Sequence, residues 1–323
     1  MMNAVSVNQS PFISVVVPAY NEQANLANLW HRLKPVMQDL TERWEVVFVD
    51  DGSHDDTLNV LLDLYGSDPS HIVVVELAHN SGQHPAIFAG MSKSRGDIVV
   101  TIDADLQNPP EEIPKLVNAM REHGWEVVGS IRRNRQDNFM RRLASNMVAR
   151  FARRITKAPL RDWGSMLRAY ARPVVDRMLC NPEHATYIPA LATIYTKKVG
   201  EVETAHCARV AGVSNYSLTK LIDLYLDLMT SFSTLLLKLL FYVGLLLSLL
   251  GFLLAVVLIV GRVLIGDAWA EQGVFTLFSL LFFFVGAQFL AFGVLGQYVI
   301  RIYREVRKRP PYVVKEVTGG NGG

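Results

Sequence analysis

The sequence predicts an α/β domain built on a mostly parallel sheet, followed by a two-helix transmembrane hairpin. Two observations lead there. Over roughly the first 220 residues, short β-branched runs alternate with amphipathic stretches, and strands that alternate with helices imply parallel pairing. Beyond residue 234, two apolar runs, 239–260 and 274–300, each exceed the roughly 20 residues that cross a bilayer as a helix.

The elements follow in order. "FISVVVPAYNEQANLANLWHRL" reads as strand, loop and helix, with Asn21 and Glu22 near the helix start. "WEVVFVDDGSHDDTLNVLLDLY" repeats the pattern, its strand ending in two aspartates and a Gly-Ser turn. "HIVVVELAHNSGQHPAIFAGMSKS" is a third unit and "DIVVTIDADLQNPPEEIPKLVNAM" a fourth, in which Pro109, Pro110 and two glutamates suit a helical first turn. In a sheet of this kind the ligand crevice lies beyond the carboxyl ends of the strands. The polar clusters 18–22, 50–53 and 103–107 each follow a strand, so they should meet at one edge. None belongs to a G-x-G-x-x-G or G-x-x-x-x-G-K-[ST] pattern, which argues against dinucleotide-binding and P-loop sites.

The chain has 323 residues, half of them hydrophobic, and a formal charge of +2, which excludes disorder. The stretch 132–161, "RRNRQDNFMRRLASNMVARFARRITKAPLR", is nonetheless strongly basic. Such a run is usually a solvated helix face and sometimes binds nucleic acid. Beside a membrane anchor it is better suited to the phosphates of a nucleotide, a lipid or both, so no nucleic-acid partner is expected. Cys180 and Cys207 have neither CxxC nor Cys/His metal spacing and receive no role.

The flanks of the apolar runs orient the hairpin. The connector "GDAWAEQG" contains no Lys or Arg, whereas "RIYREVRKR" after the second run has five. Both chain ends should therefore face the cytoplasm. The opening "MMNAVSVNQSPF" lacks the basic and apolar regions of a signal peptide. Before the first run, Leu218, Leu221, Ile222, Tyr225, Leu228 and Met229 recur at helical spacing, as in a helix lying in the membrane interface. The expected division is a catalytic domain over 1–215, a juxtamembrane helix over 216–234, two spans over 235–300 and a basic tail over 301–323.

Asp103 and Asp105 form D-x-D at a strand end, with Gln107 two residues on. Two carboxylates and an amide beside a basic segment suit a divalent cation that bridges diphosphate oxygens, although D-x-D alone is common and either carboxylate could cap the following helix.

Taken together, "VVVPAYNE", "VDDGS", "DADLQNPPEEI" and "MLRAY" resemble the ordered motifs of inverting family-2 glycosyltransferases with a GT-A fold, in particular those that glycosylate polyprenyl phosphates. The resemblance extends from about residue 12 to 314. It implies a UDP-sugar donor, undecaprenyl phosphate as acceptor, Mg²⁺ or Mn²⁺ as cofactor, contact with membrane lipid, and a homo-oligomer, as in relatives that form tetramers. It also implies residence in the bacterial inner membrane as a multi-pass protein with a cytoplasmic catalytic domain. The segments "SGQHPAIFAG", "RNRQD", "YIPALA" and "VFTLFSLLFFFVGAQF" narrow the likeness to members that transfer 4-deoxy-4-formamido-L-arabinose in lipid A modification and polymyxin resistance.

By this resemblance Pro18, Tyr20 and Asp51 hold the uridine, with Glu22 ranked behind them. Asp103 is the nucleotide-side carboxylate, Asp105 the direct metal ligand, and Gln107 lies beside it. Asp162 sits near donor sugar and acceptor. Arg132, Arg141 and Ser145 contact the diphosphate or the lipid phosphate, and Arg209, Ser214 and, more weakly, His206 belong to a loop over the lipid phosphate. The chain departs from the family at Val210, Ala211, Val213, Asn215 and Gln297. Other readings of the same residues are a glucosyl- or mannosyl-transferring relative and an inactive membrane scaffold; a processive synthase would carry a Q-x-x-R-W pattern that this chain lacks.

Overall fold

A computed structural model of the chain describes residues 12–132, 162, 164–180, 187–205, 207, 235–265, 274–307 and 309–320. These residues fall into two compact units, one comprising the sheet domain together with residues from 310 onward, the other the two long helices.

The first unit is built on an eight-stranded sheet in the order β7-β5-β6-β4-β1-β2-β3-β8. Strand β1 (Ile13–Ala19) lies between β2 (Trp44–Asp50) and β4 (Ile98–Thr101), parallel to both, and β3 (Ile72–Leu77) runs parallel to β2. Strand β6 (Arg168–Ala171) is antiparallel to β4 and β5 (Val127–Arg132), and β7 (Val199–Thr204) is parallel to β5. The central strands are runs such as "ISVVVPA" and "WEVVFVD" because helices cover both faces, so alternate residues have no water to face.

Those helices are α1 (Gln23–Leu40), α2 (Thr57–Ser67), α3 (Gln83–Lys93), α4 (Ile113–His123), α5 (Arg172–Cys180) and α6 (Ile188–Tyr195). The stripe Leu26, Leu29, Leu33 and Met37 of α1 is buried against Val15, Val17, Val46 and Phe48. Each such side chain contributes roughly 1.5–3 kcal/mol on burial. Glu45, buried in β2 at the end away from the clusters, accepts from Ser14 Oγ at 2.6 Å, from Arg95 N–H at 2.7 Å and from the Arg95 guanidinium. Its charge is thus paired and hydrogen-bonded, as burial demands.

Strand order reverses between β1 and β4, the place where open α/β sheets form their ligand crevice. At the far edge, β8 (Val314–Thr318) pairs antiparallel with β3. Ala78 N–H donates to the Val313 carbonyl at 2.9 Å, and Lys315 pairs with Glu76 at 2.5 Å. The basic tail expected over 301–323 therefore includes a strand that caps the β3 edge, an element absent from the sequence reading.

The second unit contains α7 (Leu235–Ile265) and α8 (Val274–Arg307). Apolar side chains stand exposed along both, among them Phe241, Leu245, Leu249, Phe289 and Val299. Among the described residues, the window Phe283–Ile300 of α8 is the one that meets a test of length and apolarity for crossing a membrane. Of the two spans expected from the sequence, the second is the one this test supports. The interfacial helix expected at 216–234 lies outside the described residues.

Candidate active site

A cavity of about 400 Å³ opens where β1, β2, β3 and β4 end. Seven of the expected residues line it: Pro18 at the end of β1, Tyr20 and Glu22 after it, Asp51 after β2, and Asp103, Asp105 and Gln107 after β4. The loop after β3 adds Asn80 and Gly82, the start of α3 adds Gln83, and the segment before β6 adds Gly164 and Met166. The parallel sheet thus gathers residues up to 148 positions apart onto one rim, Pro18 to Met166.

Tyr20 is 40 % exposed at the cavity mouth, with its ring edge-on to His54 at 6.2 Å. A ring so placed offers a face for a planar base. The turn beneath is fixed by Asn21, whose φ of 55° lies in the left-handed region that Asn tolerates. Its N–H donates to Ser53 Oγ at 3.0 Å, and its side-chain oxygen accepts from His54 N–H at 2.9 Å. Glu22 accepts from Asn25 Nδ2 at 2.6 Å and immediately precedes α1, so it serves the helix start while also lining the cavity.

Asp51 is buried, and its carboxylate oxygens accept from Ser81 N–H at 2.7 Å and Gly82 N–H at 2.9 Å. Burial raises its pKa, the two backbone donors opposing. The resemblance gives Asp51 to the uridine; here it lines the cavity and also holds the loop after β3. Gly52 completes the junction. Its φ is +65°, and a Cβ there would stand 2.7 Å from Asn80 N, so only glycine lets the two loops touch. Neighbouring Asp50 also has a raised pKa, chiefly from burial, and its Oδ1 finds no partner among the described residues.

The D-x-D lies just past its strand. β4 ends at Thr101, and Asp103 and Asp105 stand in a turn. Leu106 then adopts φ 60° while its side chain is buried, a conformation costly for such a residue and common at functional sites. Because β4 has already ended at Thr101, the two-residue alternation of a strand does not set where these side chains point. Asp105 Oδ1 accepts from Gln107 N–H at 3.1 Å, and Asp103 Oδ1 from Gln83 Nε2 at 2.6 Å. The turn is braced from behind: Arg32 on α1 grips Glu111 through two hydrogen bonds of 2.9 and 2.8 Å. From the other side the Cys207 N–H donates to the Gln107 carbonyl at 2.9 Å. This ties the start of the segment expected over the lipid phosphate to the D-x-D turn.

Among the described residues, no group of three or more His, Cys, Asp or Glu side chains stands ready to enclose a metal ion. Two carboxylates and the Gln107 amide still fit a hard cation completed by phosphate oxygens and water, the usual mode for Mg²⁺.

Asp162 is buried but is not among the cavity-lining residues. Its N–H donates to Glu201 Oε1 at 3.0 Å, and its Oδ1 accepts from Gly164 N–H at 2.9 Å, closing a turn that presents Gly164 to the cavity. Arg168, missed by the sequence reading, anchors that turn. Wholly buried in β6, it donates from Nη2 to the Asp162 carbonyl at 2.6 Å and from Nε to the Ser165 carbonyl at 3.0 Å. "MLRAY" had been quoted as a motif, and a lone arginine within an apolar strand was the available signal. Gln83 had the same standing within "SGQHPAIFAG". Of the phosphate-binding candidates, Arg132 ends β5, while Arg141, Ser145, His206, Arg209 and Ser214 lie outside the described residues.

A nucleotide-sized cavity at the switch point of a parallel sheet, with D-x-D on its rim, defines the class: this chain belongs to glycosyl transferase family 2, whose model matches residues 14–177. Two curated relatives carry the name undecaprenyl-phosphate 4-deoxy-4-formamido-L-arabinose transferase. The one from Proteus mirabilis (strain HI4320) is 47 % identical over 307 residues, 95 % of this chain and 94 % of the relative. The one from Photorhabdus laumondii is 46 % identical over 317 residues, 98 % of this chain and 97 % of the relative. Among solved structures, glucosyl-3-phosphoglycerate synthase from Mycobacterium tuberculosis, in complex with Mn²⁺, uridine diphosphate and glucosyl-3-phosphoglycerate, aligns with a TM-score of 0.50. At 20 % identity over 69 % of this chain and 80 % of that one, it establishes the GT-A fold.

Proposed function

We propose that this chain transfers 4-deoxy-4-formamido-L-arabinose from its UDP-sugar to undecaprenyl phosphate, with inversion at the anomeric carbon. The observation that carries this reading is the near-full-length identity of 46–47 % to relatives of that name. The cavity at the sheet edge is consistent with it.

The acceptor is a phosphate monoester whose second pKa is about 6, so it reaches the site already anionic. Its oxygen attacks the anomeric carbon, the glycosidic C–O bond breaks, and UDP leaves with the electron pair. No strong base is required, and Asp162 acts by holding the turn beside sugar and acceptor. Tyr20 and Pro18 form the base wall, and Asp51 keeps the loop after β3 in place against it. Asp103, Asp105 and Gln107 would hold Mg²⁺ or Mn²⁺, which when bound offsets the charge growing on the leaving diphosphate. Arg132, Arg141 and Ser145, with His206, Arg209 and Ser214 from the segment that follows Thr204, bring the two anions together, a positioning contribution.

The chain works at the inner membrane, anchored by α7 and α8 as a two-span hairpin with both termini cytoplasmic, as a homo-oligomer, in the modification of lipid A that confers polymyxin resistance. The deciding assay is UDP release by the full-length protein in detergent with undecaprenyl phosphate and Mg²⁺. UDP-4-deoxy-4-formamido-L-arabinose, UDP-glucose and GDP-mannose are supplied separately. Turnover with the formamido sugar alone, abolished by Asp105→Ala, is the expected result. Turnover with a hexose would reassign the donor, and none with any donor would overturn the catalytic reading.

A further inference from the structure

Gln83 is the first residue of α3 and lines the cavity opposite the D-x-D turn. Its Nε2 donates to Asp103 Oδ1 at 2.6 Å. The acceptor also fixes which end of the amide faces it, because a carboxylate can only accept. The residue is not on a loose loop. Asp51 grips the two preceding residues through Ser81 N–H and Gly82 N–H, and Gly52 lets the backbone at His79 and Asn80 rest directly on it.

We propose that Gln83 is a positioning residue for the D-x-D pair: its amide holds Asp103 in the orientation that receives a nucleoside diphosphate with its divalent cation. The neutrality of the donor is part of the device. A lysine at this point would hold Asp103 as firmly but would cancel one of the two charges that attract the cation, whereas an amide fixes the carboxylate and leaves the charge of the pair intact. The inference rests on the reading of this cavity as a nucleotide site.

The test uses the full-length protein in detergent. Free Mn²⁺ is counted by electron paramagnetic resonance in the presence of UDP, and UDP affinity is measured by calorimetry at fixed Mn²⁺. Gln83→Leu should weaken Mn²⁺ binding roughly 5- to 10-fold, the scale of one solvent-accessible hydrogen bond to a charged group, with an unchanged melting temperature. In turnover, the KM for donor should rise while kcat at saturation stays near that of the parent. Gln83→Lys should weaken Mn²⁺ binding at least as much. Parent-like Mn²⁺ binding by Gln83→Leu overturns the proposal, and parent-like binding by Gln83→Lys overturns the argument from neutrality. If the parent protein itself binds neither UDP nor Mn²⁺, the nucleotide-site reading fails and this inference falls with it. Intact parent binding with an indifferent Gln83→Leu sinks the inference alone.

Discussion

Asp51→Asn separates two roles that the sequence could not. The replacement is isosteric, so packing is kept, but only one side-chain oxygen remains to accept. The Ser81 and Gly82 N–H groups both point at this carboxylate, at 2.7 and 2.9 Å, and the new NH₂ must face one of them donor to donor. Losing a hydrogen bond to a charged group costs about 1.5–3 kcal/mol, and the stranded buried N–H adds to it. Against this, the neutral amide escapes the desolvation that raises the pKa of Asp51. The balance is a loss of about 2 kcal/mol, or roughly 4–8 °C in Tm at roughly 2–4 °C per kcal/mol for a domain of this size. Because the loosened loop lines the cavity, UDP affinity should fall roughly 10-fold in parallel, about 1.4 kcal/mol. Thermal unfolding with and without UDP, plus calorimetric titration of UDP, reads both. A large loss of UDP affinity at unchanged Tm would refute the scaffolding argument and return Asp51 to direct contact with the base.

Arg168→Lys should destabilise by about 2–4 kcal/mol, because one ammonium cannot reach both the Asp162 and Ser165 carbonyls that the guanidinium bridges. Turnover should drop further than UDP affinity if, as proposed, the turn stands beside the sugar, and unchanged kcat would exclude that role. A pH effect arises at Asp68, where burial is outweighed by donation from Lys34, His71 and Ser70, holding its pKa at about 2 against 3.8 when free. A depressed carboxylate stabilises the fold above its unfolded pKa, and that contribution disappears as pH falls from 3.8 toward about 2. With Lys34 and His71 partly exposed, water screens the pairing and leaves roughly 1 kcal/mol. Denaturation midpoints of Asp68→Asn should thus change less with pH over that window than those of the parent, and equal slopes would contradict the assignment.

The strand ends were legible because a parallel sheet leaves an unmistakable trace: β-branched runs broken by polar residues where the chain leaves the core. That trace sufficed to bring Pro18, Asp51 and Asp103 to one rim before any geometry was known. It could not say where each side chain is committed. The partners of Asp51 lie 30 and 31 residues away, a separation that no local pattern encodes. The left-handed backbone at Leu106 was equally hidden, since leucine carries no signal for positive φ. Strand β8 escaped for a different reason. "VKEVT" is short and charged, and it forms because β3 offers an open row of backbone donors and acceptors that a neighbouring strand satisfies.

What the site gains from the fold is continuity between loops that the sequence presents as separate motifs. The loop after β1 is tied to the loop after β2 through Asn21 with Ser53 and His54. The loop after β2 holds the loop after β3 through Asp51, and the residue that follows that loop reaches the D-x-D turn through Gln83. That turn meets the segment after β7 through the Gln107 carbonyl and Cys207 N–H. Each tie crosses from one loop to another, so none of these loops keeps its geometry independently. A network of this kind answers a local change as a unit, which is why substitutions at Asp51 and Gln83 are expected to register in nucleotide and cation binding although each acts through a second residue. Tyr20 and the carboxylates at Asp103 and Asp105 therefore line one cavity whose loops are joined by a continuous set of hydrogen bonds.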